Sequence, residues 1–133
     1  MFSDFDNYIS SNFSTNYWSD EGISRAADMV HMFTESDWDE LNNSLLGRME
    51  SWQIKCAETL GDVEEKFSVD ILLQLLCSES VEVKLAALDS LNALLACGLR
   101  AAGHEDKIKQ AIEQVRPKSS VESMMTGSLK EKL

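Results

Sequence analysis

Residues Trp52-Gln53-Ile54-Lys55-Cys56-Ala57-Glu58-Thr59-Leu60-Gly61-Asp62-Val63 and residues Val83-Lys84-Leu85-Ala86-Ala87-Leu88-Asp89-Ser90-Leu91-Asn92-Ala93-Leu94 are copies of one pattern, thirty-one positions apart. Apolar or small side chains fall at matching places: Trp52, Cys56, Ala57, Leu60 and Val63 in the first, Val83, Ala87, Leu88, Leu91 and Leu94 in the second. Gaps of four, one and three are those of a single helix face. The stretch before each copy keeps the same register, with Leu41 and Leu45 mapping onto Leu72 and Leu76. Two helix pairs of one period indicate a stacked array. The reason is burial, since a two-helix unit exposes an apolar face that only a neighbouring unit covers. The small residues Ala57, Gly61, Ala86 and Ala87 allow close approach between layers. No Val/Ile/Thr-rich alternating run bounded by hairpin turns occurs, so the expected fold is all-α.

Outward from this repeat the period stays helical. Ser19 or Asp20 is expected to cap a helix lined by Ile23, Ala26, Ala27, Val30 and Phe33. Ser36 is the expected cap of the next, whose first turn holds Asp37, Asp39 and Glu40 and whose stripe is Trp38, Leu41, Leu45 and Met49. Ser51 and Ser68 are expected to start the third and fourth. A fifth spans Val81 to Cys97, and a sixth runs from Glu105 to Arg116 ahead of Pro117. Three segments result: an aromatic-rich N-terminal stretch (1–18), a helical repeat domain (19–116) and a polar tail or weak terminal helix (117–133). The first stretch holds Phe2, Phe5, Tyr8, Phe13, Tyr17 and Trp18. It is read as a flap over the first open helix face or as a docking surface, because aromatics dominate binding hot spots. In the tail, Val121, Met125 and Leu129 lie four apart. They suit a mobile end or a cap on the last repeat.

The two copies, with Ile71-Leu72-Leu73-Gln74-Leu75-Leu76 and Ser78-Glu79-Ser80 between them, resemble HEAT repeats over roughly residues 37–97. Trp52-Gln53 and Val83-Lys84 stand where that family usually has Val-Arg, and residues 21–32 match poorly. The resemblance implies a short right-handed α-solenoid of about three HEAT-like helix pairs, binding a macromolecule on its concave side. It implies no chemistry.

The chain has 133 residues, 23 Asp+Glu against 12 Lys+Arg and a formal charge of −11. Residues 1–50 carry a net −8, residues 51–100 a net −4 and the remainder a net +1. Such a surface repels phosphate backbones, so no direct nucleic-acid ligand is expected. It speeds encounter with a basic partner. No apolar run approaches a membrane span, and the start of the chain carries no basic and apolar leader, so a cytoplasmic protein is expected. Cys56, Cys77 and Cys97 lie in apolar helical patterns and are expected to be free thiols.

The sequence lacks the common parts of an enzyme. Glycine-rich phosphate loops, paired metal histidines and a nucleophile elbow do not occur. His31 and His104 lie far apart in sequence from each other, and no Cys/His cluster occurs. Asp37-Trp38-Asp39-Glu40 opens like a calcium loop, but Asn42 and Arg48 stand where that loop needs Gly and Glu. No enzyme, cofactor or metal is expected. A binding surface remains. Opposite the inward set of the first copy lie Lys55, Glu58 and Asp62, and the repeat adds Ala86, Asp89 and Ala93. An acidic groove of Glu58, Asp62 and Asp89 is expected, with Glu65 on the adjoining loop and Asp37, Trp38 and Asp39 extending it; Trp38 also suits the core. Such a groove suits a bacterial immunity protein that binds its cognate toxin one to one and occludes the toxin's basic surface. Small acidic HEAT-like proteins are similar to those of interbacterial competition and contact-dependent growth inhibition. The alternative is a scaffold or adaptor for a basic peptide or helix of a cellular protein.

Overall fold

The computed structural model describes residues 1–133, and all of its regular structure is helical. Its elements are α1 (Phe2–Ile9), α2 (Thr15–Tyr17), a π-helical turn (Trp18–Gly22), α3 (Ile23–Val30), α4 (Glu35–Ser44), a 3₁₀ turn (Leu45–Gly47), α5 (Glu50–Leu60), α6 (Lys66–Leu75), α7 (Val81–Ala96), α8 (Glu105–Val115) and α9 (Ser120–Glu131). The repeat is visible in the helix starts. Glu35 and Lys66 open α4 and α6, and Glu50 and Val81 open α5 and α7, each pair thirty-one residues apart. Within a pair the second helix starts fifteen residues after the first, and α8 with α9 keeps that interval.

The second helices pack in series, α3 on α5, α5 on α7 and α7 on α9. Leu60, Leu72, Leu75, Leu88, Leu91 and Leu94 are fully buried between them and their partners. The α5–α7 contact is close because Gly61 lacks a side chain. A Cβ there would come within 2.7 Å of Ser90 Oγ, which is held by donating to the Ala57 carbonyl at 2.6 Å. Gly61→Ala is therefore expected to cost about 1–3 kcal/mol through overpacking, measured as a lower urea midpoint. α7 stops where Gly98 turns to φ 100° and lets the Leu99 N–H reach the Leu94 carbonyl at 3.2 Å, the Schellman closure.

Several sequence expectations need correction. Helix runs unbroken from Thr15 to Val30, so the end of the aromatic-rich stretch continues directly into the element that follows it. Its cap is Ser14, accepting from Tyr17 N–H at 3.1 Å, not Ser19 or Asp20. The π turn lodges an extra residue, and Trp18 and Gly22 are both buried there. α1 packs on α3, α4 and α5, with Phe2, Phe5 and Ile9 in the core. Thr34, not Ser36, caps α4, since the reciprocal Thr34–Asp37 box satisfies both ends of the turn. Met49 leaves the α4 stripe and is exposed, because the helix tightens to 3₁₀ at Leu45. Ser51 is already inside α5, whose cap position is held by Met49. Ser68 lies inside α6, buried, and its hydroxyl has no hydrogen-bond partner. The tail forms α9, held by buried Leu129 and Thr126 and by Lys132 and Ser128 donating to Asn92 at 2.8 and 3.4 Å.

Candidate functional site

The second helices carry a trough made of two adjoining depressions that share lining residues. One, of about 180 Å³, is lined by Ile23, Glu58, Gly61, Asp62, Asp89, Ser90 and Ala93. The other, of about 440 Å³, lies between α5, α7 and α9 over Ile54, Leu85, Ala86, Val121 and Met125. Glu58 and Asp89 line both, and Glu82 and Glu122 flank the second. The fold thus gathers Glu58, Asp62 and Asp89 as the sequence spacing predicts. Glu82 and Glu122 join them because α9 packs beside α7. The four-residue spacing of Val121 and Met125 was the signal for that face, but nothing in the tail's own sequence indicated its seat.

The edge of the trough is set by the N-terminal aromatics. Trp18 donates its indole N–H to Glu58 Oε1 at 3.1 Å. Phe13 stacks on Trp18 with centroids 5.7 Å apart. Lys55 lies 5.4 Å over Phe13 and donates to the Ile9 and Ser11 carbonyls at 3.3 and 2.8 Å. Helical position alone puts Lys55 on the groove. It is instead turned to the N-terminal segment, because those two carbonyls have no helical partner. Lys55 is therefore engaged elsewhere, and Glu58, Asp62 and Asp89 form no ion pair.

Glu58 is half-buried. Burial pushes its carboxyl above the ordinary range; the Trp18 N–H opposes this, Asp89 adds to it and Lys55 opposes it. A carboxyl raised on folding favours the folded state at low pH, and that contribution is lost as pH rises through its folded pKa. Asp37 is the opposite case. The Thr34 backbone N–H, then that of Phe2, hold it below the ordinary range. Its contribution is present above the unfolded pKa and is lost as pH falls through the folded one. Glu58→Gln is expected to raise the Tm at pH 7 by roughly 1–3 °C, with the gain vanishing near pH 4. Asp37→Asn is expected to lower the Tm by several degrees at pH 7 and to change little in strong acid, and thermal melts across pH separate the two.

The remaining predicted site residues fall elsewhere. Asp37 is buried, accepting from Phe2 N at 2.9 Å and from Thr34 N at 3.0 Å, so it is a structural cap and not a binding group. Trp38 is core, stacked on Phe67. Asp39 lies with them in a separate slot between α4 and α6, so this group does not extend the trough. Glu65 is half-buried at the position before α6 and lines neither depression. Burial raises the Cys56 thiol far above its ordinary pKa, while Cys77 and Cys97 are exposed free thiols. No three His, Cys, Asp or Glu side chains are grouped to hold a metal ion. No helix is long and apolar enough to cross a membrane. Searches against protein-family models, curated proteins and solved structures each find no match to this chain.

Proposed function

We propose that the chain is a protein-binding α-solenoid of the HEAT-like kind, in which stacked helix pairs present their second helices as one face. That face takes the basic surface of a partner protein. The observation that carries this reading is the trough itself: Glu58, Asp62, Glu82, Asp89 and Glu122 around an apolar floor, with Lys55 withdrawn to the backbone of the N-terminal segment. Carboxylates in this setting attract Lys and Arg over long range, while the floor accepts their aliphatic stems.

The specific role is that of an immunity protein, which neutralises a cognate toxin in a one-to-one complex in the cytoplasm. A toxin that cleaves nucleic acid needs a basic site for phosphates. A preformed acidic surface blocks such a site by occupying it. The test is co-expression with the toxin domain encoded beside the chain's own gene. Growth is restored by the native chain and lost with the Glu58→Lys/Asp89→Lys variant; equal protection by both overturns the reading.

The apolar lining of Ile54, Leu85 and Met125, with exposed Val121 beside them, favours a second reading, an adaptor that seats a basic amphipathic helix of a cellular protein. Recovery of one tightly held toxin supports the first reading, and recovery of several housekeeping proteins supports the second.

A further inference from the structure

Glu82, Leu85, Ala86 and Asp89 lie at i, i+3, i+4 and i+7 of α7, so they share one face of that helix. All four line the larger depression of the trough. α7 packs on both α5 and α9, which supply the walls: Ile54 and Glu58 on one side, Val121, Glu122 and Met125 on the other. The three helices run in one direction. Ile54 and Leu85, and Glu58 and Asp89, are equivalent positions of the repeat that meet in this depression. On α9, Val121 and Glu122 join Glu82 there, while Ser128 and Lys132 reach Asn92 further along α7. The carboxylates therefore stand in two groups. Glu82 and Glu122 belong to the first turns of their helices. Asp89, with Glu58 beside it, follows Glu82 by two turns, about 10.5 Å along the axis. Between the groups the surface is apolar, and Val121 is 77 % exposed on its wall. The ion pairs of the molecule involve Asp4 and Asp6, so none of these four acids has a cation of its own. Glu82 accepts from the Ser80 hydroxyl and Glu122 from the Lys118 backbone N–H, each through one oxygen, which leaves the other.

We infer that the trough receives an α-helix of the partner protein that carries arginine or lysine at i and i+7 and large apolar side chains at i+3 and i+4. This rests on the reading of the trough as the binding face and adds the form of chain that the face accepts. A helix presents those four positions on one side, with its two cations as far apart as the two acidic groups. The apolar pair then meets Ile54, Leu85 and Met125 between them, as in other helix-in-groove complexes. The small Ala86 leaves room for the incoming side chains on the α7 side. An extended segment does not meet both groups. It covers the same distance in about three residues, and residues i and i+3 of a strand point to opposite sides. A flexible polycation makes no use of the apolar stretch, and anions are repelled by all four carboxylates.

The test measures fluorescence anisotropy of labelled peptides with the full-length chain. The first peptide is an alanine- and glutamine-based helix with arginine at i and i+7 and leucine at i+3 and i+4. Three controls follow: the second arginine moved to i+9, on the opposite side of the helix; a proline placed just after the leucines to break it; and both leucines replaced by glutamine. The first peptide is expected to bind saturably, and each control at least about tenfold more weakly. Asp89→Lys, at an exposed position, is expected to weaken the first peptide by at least about tenfold with an unchanged circular dichroism spectrum. Equal affinity for the first peptide and any control overturns the inference; if Asp89→Lys still weakens them all, the acidic binding face stands without it. Affinity for the first peptide that Asp89→Lys does not change overturns the inference and the reading of the trough together. No binding of the first peptide at millimolar concentration overturns the inference alone, and the co-expression test then decides the reading.

Discussion

Phe5→Ala is expected to lower the unfolding free energy by about 3–5 kcal/mol, the cost of emptying a fully buried aromatic position. Phe5 has no solvent exposure and meets Phe33 at 5.7 Å and 90° and Trp52 at 6.2 Å and 77°, both edge-to-face. Each such pair contributes about 0.5–1.5 kcal/mol beyond the area it buries. The side chains that would have to collapse into the hole are themselves fixed. Trp52 donates to Asp6 at 2.9 Å, and Arg48 lies 5.2 Å over its ring while reaching Asp6 at 2.8 Å. The cavity therefore stays open. Against a total of about 5–15 kcal/mol for a domain, the loss is a large share of the stability. Urea unfolding measures it as a fall in midpoint. A loss below about 1 kcal/mol would show that α1 lies on the domain and is not part of its core.

The second large effect concerns the trough. Glu58→Lys/Asp89→Lys is expected to weaken binding of a basic partner by at least about a hundredfold, on the order of 3 kcal/mol. Both residues border both depressions, so the two reversals place positive charge at the centre of the face and not at its rim. The loss divides in a way that kinetics reads. Removing long-range attraction slows association, and this part shrinks as salt shortens the Debye length. Repulsion at contact speeds dissociation, and this part survives salt. Stability is expected to change little at exposed Asp89. At half-buried Glu58 the lysine also loses the Trp18 indole as a partner. Asp89→Lys alone thus separates a binding defect from a folding defect. Unaltered affinity in the double variant would remove the trough from the interface.

Much of the architecture was legible because burial imposes it. The thirty-one-residue offset put Leu60 beside Leu91 in pattern, and both are buried in packed helices. Glu58, Asp62 and Asp89 were found for the same reason, since the face opposite a buried stripe must be the open one. Local chemistry was harder to read. Thr34-Glu35-Ser36-Asp37 contains a capping box; the acids read both as first-turn charges behind a Ser36 cap and as an extension of the groove, and the buried carboxylate of Asp37 shows that the cap is Thr34. The π turn at Trp18–Gly22 had no signal in periodicity, because a single inserted residue shifts the phase for one turn only. Lys55 lay on the expected face of α5, but helical position alone does not say where a long side chain reaches. The seat of α9 depends on α7 and not on the tail's own few apolar residues.

The coincidence of helix starts at 35 and 66 and at 50 and 81 has a genetic implication. A tandem duplication of one whole unit would set every new apolar stripe against a complementary one, whereas an insertion of arbitrary size would rotate the next stripe into water. The spacing from α6 to α8 is longer than one such unit, because α7 and the turn behind it are longer than α5 and the turn behind that.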